Sequence, residues 1–180
     1  MPILGKKTNW RGTFLSAIEF EVKNSKGVRF NWEAFERNNC NGIVAIVPVT
    51  KDRGVIVVKQ FRPPVGKYVI EFPAGLNDKG ETLTEVAQRE LLEETGCRAG
   101  RLIPIATGPL SSGASTEVLT VYAALDVVLY CGQALDPHED IEIITLPLDN
   151  FYEHLYALEG PDTYIDLKLY GLLELAKRHI

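Results

Sequence analysis

Cysteine is scarce in this 180-residue chain, and the three present, Cys40, Cys97 and Cys131, show no Cys-x-x-Cys spacing. That excludes a disulfide framework and a cysteine zinc site as organising devices. The three are expected to be small buried apolar residues in a reducing cytoplasm. Excess positive charge is missing as well: 19 Lys and Arg against 24 Asp and Glu leave a net charge of −5. A chain of that sign does not suit a nucleic-acid backbone or an anionic membrane as its main partner. No apolar run reaches the roughly 20 residues of a transmembrane helix, and the N-terminus shows no signal-peptide core. Repeats and low-complexity segments are absent too. What is abundant is apolar content, 46%, enough for one sizeable core, with nothing to suggest two. One cytoplasmic domain over residues 1–180 is the expectation.

Periodicity sketches its elements. Residues 12 to 22 alternate, and the turn chemistry of 24 to 27 leads into 28 to 32, which predicts a β-hairpin. Segments 42–49 and 54–61 are dense in Val and Ile and are separated by Lys51-Asp52-Arg53, a second hairpin. A short strand over 67–72 precedes Pro73-Ala74-Gly75, and further strands are expected at 101–107, 117–128 and 141–147. Two helices close the chain: one capped by Asp149 and running to about 158, and one from about 164 to 178 after Gly160-Pro161. His138 reads as a solvated loop residue, and His154 and His179 fall on helix surfaces or ends.

The densest information lies between Gly75 and Cys97. Thr82 with Glu85 is a capping box, Gly96 is a natural C-terminal stop, and no Pro or Gly intervenes, so residues 83 to 95 are predicted helical. At about 100° per residue, with Leu83 at zero, Val86 falls near 300°, Ala87 near 40° and Leu91 near 80°. The same count puts Glu90 near 340° and Glu94 near 20°, on the apolar arc, with Glu93 at its border near 280°. Charge runs are usually solvated faces. Here the phase forbids that, because unpaired buried carboxylates would cost several kcal/mol each. They need cations or an open cleft. Three glutamates within five residues, without nearby His or Cys, suit the hard ions Mg²⁺ or Mn²⁺ and not zinc.

The stretch runs Gly75-Leu76-Asn77-Asp78-Lys79-Gly80-Glu81, seven residues, then Arg89-Glu90-Leu91-Leu92-Glu93-Glu94-Thr95-Gly96-Cys97. It matches without a gap the Nudix box, G-x5-E-x7-R-E-U-x-E-E-x-G-U with U apolar. Chance would produce its seven fixed letters in a chain of this length with a probability on the order of 10⁻⁶. The chain therefore resembles the Nudix hydrolases. Further segments resemble their ADP-ribose and nucleoside diphosphate-sugar pyrophosphatase group: Gln60-Phe61-Arg62-Pro63, Glu71-Phe72-Pro73-Ala74-Gly75, and Glu139-Asp140-Ile141-Glu142 before Leu146-Pro147-Leu148. The N-terminal hairpin does so too.

The resemblance implies an α/β/α sandwich around a mixed β-sheet, with residues 1–40 as a β arm at a homodimer interface. It implies Glu90, Glu93 and Glu94 as metal ligands, direct or through water, joined by the Ala74 carbonyl, with Arg89 holding the cluster and Glu81 bonding the box loop. Arg62 would contact substrate phosphate, with Glu71 a candidate for the same cleft. Glu139, on a late polar loop, would activate water or help hold metal, and Glu142 is the next candidate. In one place the chain departs from the group. Ser112 stands where a proline is expected before Gly113, in a loop that lies near the terminal sugar. Trp10 and Trp32 could stack on a base, Trp32 across a dimer, or serve packing alone.

The implied activity is Mg²⁺-dependent (or Mn²⁺-dependent) hydrolysis of the diphosphate of ADP-ribose or a related nucleotide sugar. A non-catalytic ligand-sensing domain is the alternative from another class, and retention of every box glutamate argues against it. Hydrolysis of another nucleotide, such as a GDP-sugar, a dinucleotide or an oxidised nucleoside triphosphate, is a third reading.

Overall fold

The computed structural model describes all residues, 1–180. Its N-terminal part is a three-stranded antiparallel sheet, β1 (Ile3–Arg11), β2 (Leu15–Lys23) and β3 (Arg29–Arg37), in that order. The rest is built on a nine-stranded mixed sheet. Its elements are β4 (Ile43–Thr50), β5 (Gly54–Arg62), β6 (Lys67–Glu71), β7 (Ala74–Leu76), β8 (Cys97–Arg98), β9 (Arg101–Pro109), β10 (Val118–Leu129), β11 (Ile141–Pro147) and β12 (Thr163–Ile165). The main path is β12-β6-β5-β4-β10-β8, with β11 on β5, β7 on β4 and β9 on β10. Pairings β4 with β10 and β6 with β12 are parallel, and the others are antiparallel.

Three helices cover the sheet: α1 (Leu83–Thr95), α2 (Phe151–Tyr156) and α3 (Leu167–Ala176). Strand β4 shows why the sheet sits between them. Successive side chains of a strand point to opposite faces. Ile43, Ala45, Val47 and Val49 enter one core with Phe151, Leu155, Leu169 and Leu173 of α2 and α3. Val44 and Ile46 enter the other, with Val86, Ala87 and Leu91 of α1. A strand covered on both faces has no polar side to show, hence its unbroken apolar run. The result is the expected α/β/α sandwich.

The structure departs from the sequence expectations at the cysteines, of which only Cys97 is buried while Cys131 is exposed on the loop after β10, and at both ends of the chain. Strand β1 adds a third strand to the expected N-terminal hairpin. All nine of its residues are exposed, so no buried face imprinted an alternating pattern on it. Near the C-terminus, Thr163–Ile165 pairs with β6 and the last helix begins only at Leu167, capped by Asp166. Asp149 does not cap α2. Asn150 holds that position with φ 57°, while Asp149 accepts from Arg53 at 3.1 Å.

Candidate active site

Local chemistry sets α1 in place. The Thr82 hydroxyl accepts from the Glu85 N–H at 3.3 Å, and Glu85 accepts from the Thr82 N–H at 2.8 Å, closing a capping box. At the other end Gly96 turns left-handed with φ 68°, where a Cβ would lie 2.3 Å from the Cys131 carbonyl oxygen. Held between these stops, the helix buries Val86, Ala87 and Leu91 completely, and with them Glu90 and Glu94, only 9% and 5% exposed.

The four motif-fixed glutamates of the box, Glu81, Glu90, Glu93 and Glu94, are treated unequally. Arg89 donates from Nε to Glu81 at 3.0 Å and from Nη1 to Glu90 at 2.8 Å and Glu93 at 2.9 Å. Its Nη2 also reaches the Leu76 carbonyl at 3.2 Å. Burial alone would lower the guanidinium's pKa, but Glu93, Glu90 and Glu81 together hold it above its ordinary value. Glu94 has no such partner. Its carboxylate accepts a single hydrogen bond, from the Ala74 N–H at 3.3 Å. Burial, with Glu90 and Glu139 nearby, pushes its carboxyl up to about 9. Glu90 is also raised by burial, against the pull of Arg89.

Gly75 makes this packing possible. A Cβ there would sit 1.8 Å from the Glu90 carboxyl carbon. The glycine opening the box is thus required by close approach, not by its backbone angle. Two buried carboxylates, neutralised unevenly and facing a glycine cradle, fit a hard divalent cation with oxygen ligands. No three acidic, His or Cys side chains converge as a preformed cage. A cation held here would therefore draw on Glu90, Glu93, Glu94 and the Ala74 carbonyl together with water.

Beside this wall lies a cleft of ≈ 490 Å³. Glu90, Glu93, Arg89, Ala74 and Gly75 line it, as do Arg62 and Glu139 from outside the box. Arg62 Nε donates to Glu71 at 2.6 Å. Burial raises the Glu71 carboxyl, and Arg62 opposes the shift. Glu71 itself lines an adjoining hollow that shares Arg62 and Ala74 with the cleft. The Glu139 carboxylate accepts from the Asp136 N–H at 3.0 Å.

Not every expected residue lines the cleft: Glu94 is absent from the lining and reaches it only through its bond from Ala74. Glu142 faces away, paired with Lys59 at 3.3 Å, and is absent from the cleft lining. Ser112 and Gly113 also lie outside the lining, on an exposed turn made by Ala114 and Ser115 N–H bonds to the Ser111 carbonyl. Trp32 reaches that turn within the same chain, its indole donating to the Gly113 carbonyl at 2.9 Å while 46% of the residue stays exposed.

Among the charged lining residues, Arg37, Asp78, Lys79, Glu117 and Asp136 were not singled out from sequence. Arg37 Nε donates to Glu117 at 2.9 Å across 80 positions of sequence. No local pattern could announce that pair. Lys79 sits inside the box, at a position the motif leaves free.

Comparison with known proteins agrees with this geometry. The NUDIX domain model matches residues 41–165, and the chain belongs to the Nudix family of hydrolases. An ADP-ribose pyrophosphatase of Bacillus subtilis is 38% identical over 124 residues, covering 68% of this chain and 65% of that one. An ADP-sugar pyrophosphatase of Mus musculus is 34% identical over 163 residues, covering 82% and 74%. A crystal structure of an ADP compounds hydrolase superposes with a TM-score of 0.80 at 24% identity, over 99% of this chain and 92% of its own, and shows the shared fold.

Proposed function

We propose that the chain is a divalent-cation-dependent pyrophosphohydrolase acting on ADP-ribose or a related nucleoside diphosphate sugar. The observation that carries this reading is the division of charge around the cleft: Glu90 and Glu93 of α1 line it, with Glu94 buried beside the lining residue Ala74, and Arg37 and Arg62 also line it. A diphosphate bridged to the carboxylates by cations and held from the other side by arginines satisfies both walls. The relatives named for ADP-ribose and ADP-sugars support the substrate class.

Bound Mg²⁺ or Mn²⁺ would neutralise diphosphate oxygens and make the phosphorus more electrophilic. The protein's own groups do the rest. Arg62 and Arg37 orient the diphosphate, each aimed by its half-buried carboxylate partner, Glu71 or Glu117. Glu139 takes the proton from the attacking water. A bond forms between water oxygen and one phosphorus, the bond from that phosphorus to the bridging oxygen breaks, and a nucleoside monophosphate and a sugar phosphate leave.

The working unit in this reading is a cytoplasmic homodimer of one-domain chains. No helix is long and apolar enough to cross a membrane. The N-terminal sheet and its first turn leave Ile3, Leu4, Trp10, Phe14 and Trp32 exposed. Pairing with a second copy would cover them and bring Trp32 and the Ser112–Gly113 turn toward a substrate. The test is a panel of diphosphate-linked nucleotides with Mg²⁺, products identified by mass, alongside Glu94→Gln. Hydrolysis of nucleotide sugars that survives Glu94→Gln intact would overturn the site.

A further inference from the structure

Residues 130–140 connect β10 to β11 and carry Asp136 and Glu139 to the cleft. The first part of this loop is strapped across the C-terminal end of α1. The N–H groups of Tyr130 and Cys131 donate to the Gly96 carbonyl at 2.9 and 3.0 Å, and Ala134 N–H donates to the Glu93 carbonyl at 2.9 Å. These bonds satisfy carbonyls that a helix end leaves open.

Gln133 reaches further. Its side-chain nitrogen donates to the Glu94 carbonyl at 2.7 Å and to the Ile141 carbonyl at 3.1 Å. Both partners are acceptors only, so only the amide NH₂ can serve them. One side chain thereby joins the last turn of the helix bearing Glu90 and Glu94 to the first residue of the strand that follows Glu139.

The loop tip depends on that joint. Hydrogen bonds of residues 135–140 are internal: Asp136 N–H to the Glu139 carboxylate at 3.0 Å and Glu139 N–H to the Asp136 carbonyl at 2.9 Å. No hydrogen bond ties the tip to the body of the protein. Its place is set by its two ends, Ala134 on the helix and Ile141 on the sheet, and Gln133 spans from one to the other. Carboxylates gathered in one cleft repel each other, so an unanchored tip would carry Glu139 outward.

We propose that Gln133 is a positioning residue that fixes the placement of Glu139 against Glu90 and Glu94. The inference rests on the reading above, in which Glu139 takes the proton. The variants Gln133→Ala, Glu139→Gln and their combination test it, with kcat, KM, melting temperature and amide hydrogen exchange measured on the full chain. Gln133→Ala should lower kcat about 10-fold with KM within about 2-fold. The amides of Asp136 and Glu139 should exchange at least about 10-fold faster, while those of Tyr130 and Cys131 hold. Added to Glu139→Gln, it should cost less than about 2-fold more, because it acts through the group already removed.

A Gln133→Ala enzyme with wild-type kcat and wild-type exchange at the tip overturns the proposal, and so do losses that multiply in the double variant. Full activity of Glu139→Gln would instead sink the reading of Glu139 itself. Should Glu139→Gln fall below detection, exchange at the tip decides. Should the alanine variant unfold, Gln133→Glu keeps the size while removing both donors, and tip exchange at the wild-type rate in that protein counts against the proposal.

Discussion

The α1 wall of the cleft and the arginines that line it elsewhere hold the same kinds of group and use them in opposite ways. On the α1 wall one arginine, Arg89, serves Glu81, Glu90 and Glu93, and Glu94 is left with a single backbone donor. By contrast Arg37 and Arg62 each have one carboxylate, Glu117 and Glu71. The first arrangement is electrostatically incomplete and asks for a cation. The second is balanced, and accepts an anion only by sharing its arginines. In the proposed function, a diphosphate with bound cations would complete the first and borrow from the second.

If the imbalance is what matters, removing its most exposed consequence should have the largest effect. Glu94→Gln is expected to lower kcat by about 10²–10³-fold, or about 3–4 kcal/mol of transition-state stabilisation. Its effect on the metal-free protein should have the opposite sense. The folded-state pKa of Glu94 is raised from 4.5 to about 9, so the unfolded chain ionises there first. Stability from the neutral carboxyl is complete below about pH 4.5 and lost as pH rises toward about 9. In metal-free protein at pH 8, Glu94→Gln should therefore raise the melting temperature, and Mn²⁺ should stabilise the wild type but not the variant. Melting curves with and without Mn²⁺ at pH 5 and pH 8 check it; a destabilised metal-free variant at pH 8 would show that Glu94 is held as a satisfied anion.

Next in size is Gly75→Ala. The new Cβ would overlap the Glu90 carboxyl, and either β7 or Glu90 must give. Overpacking of this kind costs about 1–3 kcal/mol. Because it falls on a carboxylate proposed to hold the cation, we expect about 10–10²-fold weaker activation by Mn²⁺, read from activity against metal concentration. Wild-type activation would mean that Glu90 can leave its place freely.

The same contrast explains what could be read in the chain. Helix α1 is a local object: its caps, phase and buried glutamates follow from the single run 82–96 and a 3.6-residue period, and phase placed Glu90 and Glu94 on the buried face. Arg37 and Glu117 meet only because β3 pairs with the 114–116 segment, through Phe35 N–H to the Ala114 carbonyl and Thr116 N–H back to the Phe35 carbonyl. Pairing across such separation leaves no periodic trace. Arg62 and Glu71 were legible by resemblance, whereas Arg37 followed no motif. Strand β1 was missed for the converse reason: its pattern would come from a buried face, and in a single chain it has none.

Breaking the balanced arginine pairs should therefore act on binding more than on chemistry. Arg62→Ala is expected to raise KM about 10-fold with kcat changed less, and Arg37→Ala somewhat less than that. Burial already raises the Glu71 carboxyl, so without Arg62 it can take a proton and leave no buried charge. The fold should then lose little. Steady-state kinetics at two salt concentrations separates this from a structural effect. If kcat falls and KM stays constant, the arginines act in the transition state alone.

The smallest effect expected is at Glu142, and it sharpens the comparison because Glu139 is three residues away. Both glutamates fit the late acidic position that the sequence suggested for a base. The strand period separates them: β11 starts at Ile141, whose side chain is buried, and the next residue along a strand points to the opposite face. Glu142 accordingly meets Lys59 at the surface, an exposed pair of the kind worth about 0–1 kcal/mol. Glu142→Gln should leave kcat within about 2-fold and the melting temperature nearly unchanged, whereas Glu139→Gln should lower kcat about 10²-fold or more. Parallel pH–rate profiles are the measurement. A lost acidic limb in Glu142→Gln, retained in Glu139→Gln, would exchange their roles and require the β11 edge to turn toward the cleft during turnover.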